Sequence, residues 1–251
     1  MCGRYVSARK RQELLEEFTV QLDGTGEELA ADYNVAPTKK VYAVLTRPAE
    51  PAAGEGGERA AEPVRQLRVL KWGLVPSWAK DPSVGSRMIN ARVETVAEKP
   101  SFRRAFAQRR CLLPADGYYE WYKTDKKNKQ PYYLHPANGD VMAMAGLYEF
   151  WKDPGRAEDD PLKWLVTCTV ITTTAEDGLG HIHDRMPVLI GRDRWDEWLD
   201  PRIKDKDELH ALLAAGPPRG LAGRLVSTDV NSVRNNGPRL IEPEGAEEVL
   251  F

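Results

Sequence analysis

Cysteine is scarce. There are three in 251 residues, far apart and with no C-x-x-C, which excludes a disulfide framework and a zinc knuckle. Cys111 (Arg110-Cys111-Leu112-Leu113) and Cys168 (Thr167-Cys168-Thr169-Val170) lie in strand-like text and are expected in the core. Histidine is scarce too, with four residues. His181 and His183 stand at i, i+2, a spacing that two metal ligands could share, but no further histidine or cysteine is near them. Neither a metal nor a cofactor is expected. No apolar run approaches the roughly 18 residues of a membrane span, and residues 1–10 lack the apolar stretch of a secretory signal. A soluble cytoplasmic protein with no membrane partner is expected.

Hydrophobic residues make up 41% of the chain, enough for a packed core, and the length suits one domain over residues 1–251. The net charge of −2 conceals an asymmetry. Residues 65–130 hold 15 Lys or Arg against six Asp or Glu, a net of +9, which leaves −11 in the remainder. One polyanion-binding face on an otherwise acidic molecule would produce this pattern, and so would basic helix and hairpin surfaces with no ligand.

The text reads as α+β. Ala8–Val20 places Leu14, Leu15 and Phe18 at helical spacing with Ser7 available as a cap, and Phe102 and Phe106 mark a short helix over Ser101–Arg109. Lys39–Thr46, Gln66–Lys71, Cys111–Leu113, Gly117–Lys123, Tyr132–His135, Val141–Phe150, Leu162–Thr173 and Arg224–Thr228 favour strands. Between the first two, Pro48–Pro63 is rich in Ala, Gly, Glu and Pro and is expected to be a flexible hairpin insertion. So many consecutive strands predict a curved, largely antiparallel sheet, a partial barrel, with peripheral helices at Arg192–Leu199 and Lys206–Ala214.

Four segments carry candidate chemistry. In Met1-Cys2-Gly3 the second side chain is small enough for initiator-methionine removal, after which Cys2 would present a thiol and an α-amine on adjacent carbons. Such a 1,2-aminothiol can form a Schiff base with an aldehyde and then close a thiazolidine, or can attack an acyl carbon. An ordinary second residue is equally compatible with the position. Asn90-Ala91-Arg92-Val93-Glu94-Thr95 puts a carboxamide and a guanidinium on one side of an extended backbone, to orient a reacting group and hold a phosphate, or to form a polar edge. In Asp116-Gly117-Tyr118-Tyr119-Glu120-Trp121, partial burial would raise the Glu120 pKa and suit it to proton transfer, whereas an exposed hairpin would leave it solvated. His181 and His183 are the remaining acid–base candidates. Trp72, Pro76, Trp78 and Trp121 lie among the cations of the basic segment, suited to stacking on unpaired bases or to the core.

Nine segments in order resemble the motif set of the SOS-response-associated peptidase (SRAP) family. They are Cys2-Gly3-Arg4-Tyr5, Tyr33-Asn34-Val35-Ala36-Pro37, Trp72-Gly73-Leu74-Val75-Pro76, Asn90 to Thr95, Arg110 to Pro114, Gly117 to Trp121, Ala145-Gly146-Leu147-Tyr148, His183-Asp184-Arg185-Met186-Pro187 and Asn235-Asn236-Gly237-Pro238. The resemblance spans nearly the whole chain, and Pro48–Pro63 lies outside it. It implies a single SRAP-type domain that binds single-stranded DNA as a monomer in the cytoplasm, at the nucleoid during DNA damage, and captures abasic sites covalently. It assigns catalytic roles to Cys2, Asn90, Glu120 and His183, phosphate contacts to Arg4 and Arg92, and base contacts to Trp121, Trp72 and Pro37. It also implies a peptidase-like self-processing that exposes Cys2. Met-Cys-Gly opens glutamine amidotransferases of the N-terminal-nucleophile type as well, but those continue with Ile and further glycines where this chain has Arg4-Tyr5. A non-covalent single-strand binder, for which Cys2 would be dispensable, is the other alternative.

Overall fold

The computed structural model describes residues 2–48, 62–123, 129–175, 182–214 and 220–250. The expected insertion at Pro48–Pro63 lies outside the described residues except at its ends, and so does His181. The chain opens with β1 (Tyr5–Ser7), α1 (Arg11–Glu17), β2 (Leu22–Asp23), β3 (Asp32–Val35), β4 (Lys40–Pro48) and β5 (Pro63–Trp72). There follow β6 (Asn90–Arg92), α2 (Arg103–Gln108), β7 (Arg110–Ala115), β8 (Gly117–Lys123), β9 (Lys129–Pro136), β10 (Met142–Lys152) and β11 (Trp164–Thr174). The last elements are β12 (Arg185–Pro187), α3 (Trp195–Leu199), α4 (Lys206–Ala214), β13 (Leu221–Val226) and β14 (Pro243–Leu250).

One sheet runs β14-β13-β9-β8-β1-β3, and the other runs β12-β11-β10-β7-β4-β5-β2. A parallel pairing of β11 with β5, at Thr167↔Lys71 and Cys168↔Trp72, closes β4, β5, β11, β10 and β7 into a five-stranded barrel. The molecule is therefore one mixed α/β domain, mostly sheet, in which a half-barrel leans on a small closed barrel. The expectation of a curved, largely antiparallel sheet holds.

Strand alternation separates two cores. Val41, Ala43 and Leu45 of β4, Cys111 and Leu113 of β7, Met142, Met144 and Tyr148 of β10, and Cys168 and Val170 of β11 fill the barrel interior. The intervening residues, such as Tyr42, Val44, Leu112, Ala143, Ala145, Leu147 and Ile171, point outward against Leu14, Phe18, Phe106 and Trp198 of the helical side. Cys111 and Cys168 are free thiols in the interior, as their strand-like surroundings predict.

Several boundaries differ from the sequence expectation, each for a local reason. Ser7 does not cap α1. It is the last residue of β1, paired with Asp32, and the helix starts later, with the Lys10 amide donating to the Glu13 carboxylate at 3.3 Å. The helix expected over Arg192–Leu199 is a 3-10 turn, Arg192–Arg194, that leads into the short α3. Gly73, at φ +120°, turns the chain sharply after β5. A Cβ there would lie 2.6 Å from the Gly85 carbonyl oxygen, so the close approach requires glycine.

Candidate active site

Strand pairing brings the beginning of the chain to the middle of β8. Tyr5 lies opposite Tyr118 and Val6 opposite Gly117, and the Tyr119 amide donates to the Arg4 carbonyl at 2.9 Å. Continued along this antiparallel register, Glu120 sits across from Gly3, next to Cys2. Cys2 is 0% exposed and packs into the barrel interior with Trp72 and Tyr118. Burial, then the negative charge of Glu120, pushes its thiol above the ordinary range. Cys2 is therefore a neutral thiol at rest, and any attack by its sulfur requires a proton acceptor.

Glu120 can be that acceptor. It is 3% exposed, and burial raises its carboxyl to about 7, against the opposing charge of the chain's amino terminus, which holds it down. A carboxyl that titrates near neutrality is present in both protonation states, which is what a group that gives and then retakes a proton needs.

Asn90 reaches Cys2 from a third direction. β6 lies parallel to β11 with Asn90 beside Val170, and the Asn90 Nδ2 donates to the Cys2 carbonyl at 2.9 Å. Its Oδ1 is buried with no hydrogen-bond partner among the described residues. His183 enters just before β12, whose residues pair with the end of β11. Arg185 fastens this segment: its guanidinium donates to both Glu94 oxygens at 2.5 and 3.1 Å and to the Thr172 carbonyl at 2.6 Å. His183 Nδ1 accepts the Arg185 amide at 3.0 Å and also lies 2.8 Å from the exposed Asp184 carboxylate. One nitrogen cannot serve both in the same state. A ring that accepts the Arg185 amide at Nδ1 carries its proton on Nε2. Glu120, His183, Tyr118 and Met186 line one narrow crevice.

The four residues to which the resemblance assigns chemistry are thus drawn to one place, but those expected to hold DNA are divided. β8 alternates, so Glu120 faces the Cys2 side while Trp121 faces the other. Trp121 packs in the outer cluster with Val6 and Tyr119, and its Nε1 donates to the Asn231 Oδ1 at 2.6 Å. Arg4 lies on that same outer face. Its guanidinium stacks over the Trp121 ring at 5.6 Å and donates to the Asn34 Oδ1 at 2.7 Å and the Val230 carbonyl at 2.8 Å. Arg92 is exposed at the end of β6, two residues from Asn90, and Pro37 is half-buried. Trp72 corrects its expectation: it is 0% exposed, its Nε1 donates to the Ile89 carbonyl at 2.9 Å, and its ring meets Tyr5 edge-on, so it supports the site from inside and presents nothing to a base.

Two contributors escaped the sequence reading. Tyr118, fully buried, shares a face with Glu120 at i, i+2 and is electrostatically coupled to both Cys2 and Glu120. Its hydroxyl has no hydrogen-bond partner among the described residues. Strand alternation through Tyr118-Tyr119-Glu120 was the available signal. Asn34 is also buried, and its Nδ2 donates to the Ser232 and Asn235 carbonyls at 2.9 Å each; in the sequence it was one residue of a motif with no stated role.

A buried cysteine near the start of the chain thus meets an amide and a near-neutral carboxyl at the junction of a half-barrel and a closed barrel. The chain belongs to the SOS response associated peptidase (SRAP) family, whose model matches residues 1–233. It is 38% identical over 242 residues to the abasic site processing protein YoqW of Bacillus subtilis, covering 96% of this chain and 99% of that one. To the abasic site processing protein YedK of Escherichia coli it is 30% identical over 248 residues, covering 97% and 100%. A crystal structure of a Bacteroides thetaiotaomicron protein matches with a TM-score of 0.76 at 24% identity, over 96% of this chain and 99% of that one, and bears on the fold alone.

Proposed function

We propose that this protein acts in the response to DNA damage by capturing abasic sites in single-stranded DNA covalently, through Cys2 made amino-terminal by loss of Met1. The convergence of Asn90 and Glu120 on Cys2, with Glu120 raised to about 7, carries the reading. The names of the relatives supply the substrate class.

An abasic deoxyribose rests mainly as a closed hemiacetal. His183 Nε2 gives its proton to the ring oxygen while the C1′ hydroxyl returns its own to the ring through a water, so the hemiacetal opens to an aldehyde at C1′ and His183 ends as it began. The Cys2 amine adds to C1′, forming the C–N bond and a carbinolamine. Glu120 gives its proton as water departs, leaving an iminium. The Cys2 thiol then passes its proton back to Glu120, and the sulfur closes on the same carbon. One water is lost, Glu120 ends as it began, and the product is a neutral thiazolidine that shields the site from strand cleavage. Asn90 holds the Cys2 carbonyl, and with it the direction of the amine. The amine's ordinary pKa of roughly 8 leaves a useful neutral fraction near pH 7. Arg92 grips a phosphate next to the lesion. Removal of Met1, by the chain itself or by an aminopeptidase, sets up the aminothiol, and the protein works as a monomer with no cofactor.

Incubation with single-stranded DNA carrying one abasic site, followed by a denaturing gel, tests this. A shifted band that survives denaturation, is lost in Cys2→Ala and is heat-labile in Cys2→Ser is expected, because serine keeps the amine but closes only a weaker oxazolidine. Undiminished binding with no denaturation-resistant band would leave a non-covalent single-strand binder instead.

A further inference from the structure

Two adjacent tyrosines of β8 differ in what their hydroxyls meet. Tyr119 packs in the outer cluster, where its hydroxyl donates to the Tyr33 carbonyl at 2.8 Å. Tyr118 packs on the other face, in the cluster that holds Cys2, and its hydroxyl has no hydrogen-bond partner among the described residues. The residue is fully buried. A buried hydroxyl left unpaired costs stability, and phenylalanine would fill the same space without that cost. Packing alone therefore does not account for a tyrosine here, and a buried unpaired polar group in a folded protein points to function.

The position of the ring says which function. Glu120 stands two residues further along the strand, on the same face, and Tyr118 lines the narrow crevice together with Glu120 and His183. The buried hydroxyls without a partner among the described residues are those of Thr95, Tyr118 and Thr169, and of these only Tyr118 lines that crevice. The strand register holds it there: Tyr118 lies opposite Tyr5 of β1 on one side and Leu134 of β9 on the other. Its placement is thus fixed from both edges before any substrate arrives. Burial, then the charged forms of Cys2 and Glu120, raises the phenol well above its ordinary range. It stays protonated near neutral pH, so it can donate a hydrogen bond but does not give up its proton.

We propose that Tyr118 is a further catalytic residue, whose hydroxyl donates a hydrogen bond to the C1′ oxygen of the opened abasic sugar while the Cys2 amine adds to C1′; this rests on covalent capture at Cys2. In that step the C–N bond forms, the C=O π pair moves to oxygen, and one proton passes from the nitrogen to that oxygen through a water. The negative charge that develops on the oxygen meets a donor already in place, in a site where burial strengthens the interaction. The phenol keeps its own proton and ends as it began. Glu120 acts on the same oxygen afterwards, when it departs as water. The two residues at i, i+2 on one strand face thus serve successive states of one atom.

The test compares the wild type with Tyr118→Phe in single-turnover reactions on single-stranded DNA carrying one abasic site. Adduct formation is expected to slow by about 10²-fold, by the same factor at pH 6 and pH 8, while the variant melts no earlier than the wild type. Affinity for DNA carrying a tetrahydrofuran analogue, which has no C1′ oxygen, should stay within twofold. A second measurement isolates the step. In a Cys2→Ser background borohydride traps the Schiff base, and adding Tyr118→Phe should slow its appearance by the same factor. Slowing confined to proteins that retain the thiol would put the hydroxyl on the sulfur and overturn the assignment. Wild-type rates in Tyr118→Phe, or a variant that melts earlier because its hydroxyl held the fold, overturn it as well. Absence of a denaturation-resistant adduct with the wild type is a different result: it removes capture at Cys2 itself, whereas an adduct formed equally fast by both proteins removes only the role of Tyr118.

Discussion

The side-chain amide of Asn90 donates to the backbone carbonyl of Cys2 across 2.9 Å, joining two residues 88 positions apart through a strand, β6, of three residues. Because the bond is to the Cys2 main chain, it controls where the amine points without consuming either nucleophile. Asn90→Ala should slow adduct formation by about 10-fold to 100-fold and cost about 1 kcal/mol of stability. Affinity for DNA carrying an uncleavable abasic analogue should stay within twofold. Single-turnover rates and equilibrium binding on the same oligonucleotide separate the two effects. A matching loss of affinity would make Asn90 a ligand contact instead.

Glu120 should link activity and stability in opposite directions. Its folded pKa, about 7, lies above its ordinary 4.5, so the folded state holds the proton more tightly than the unfolded one. Stability therefore falls as pH rises from about 4.5 to about 7, and the loss is complete above 7. Glu120→Gln removes the ionisation. It should be more stable than the wild type at pH 8, by on the order of 2–3 kcal/mol, with little difference at pH 4. Adduct formation should drop by roughly 10²-fold to 10⁴-fold. Melting curves at the two pH values are the check, and a variant that melts earlier than the wild type at pH 8 contradicts the burial argument.

His183→Ala should slow both formation and reversal of the adduct, since the same proton transfers run backward when a thiazolidine hydrolyses. A reduction of roughly 10²-fold is expected if His183 is the full general acid, and less if water substitutes. Rates measured from pH 5 to pH 9 with abasic single-stranded DNA give the answer; wild-type rates in both directions would confine His183 to holding the Arg185 amide.

Arg92 and Arg4 should behave differently although both are arginines near the site. Arg92→Ala should weaken binding to DNA of any sequence and lower the salt slope by about 1, with unchanged melting. Arg4→Ala should melt earlier, because it strips the buried Asn34 and the Val230 carbonyl of a donor, at a cost of about 1–3 kcal/mol. Thermal melting beside anisotropy distinguishes a phosphate contact from a structural anchor, and equal melting of the two variants would place Arg4 with Arg92.

The order of short motifs along the chain was enough to identify the family, because each carries residue types that chemistry or backbone geometry restricts, and such restrictions are visible one residue at a time. Period-two alternation in Lys39–Thr46 and Val141–Phe150 likewise announced long strands, since side-chain direction in a strand is a local property. Three-residue strands such as β1 and β12 escaped notice because nothing local stabilises them; they exist only by pairing with partners such as β8 and β11. Tertiary structure alone placed Glu120 and Trp121 on opposite faces of one sheet, enclosed Trp72, and divided a run of basic residues between the surface, as at Arg92, and the interior, as at Arg110. Burial is a sum over the whole chain. The pKa of Glu120 and the exposure of a tryptophan are set by which distant strands close over them, and that closure, the parallel pairing of β5 with β11, has no counterpart in the local text of either strand.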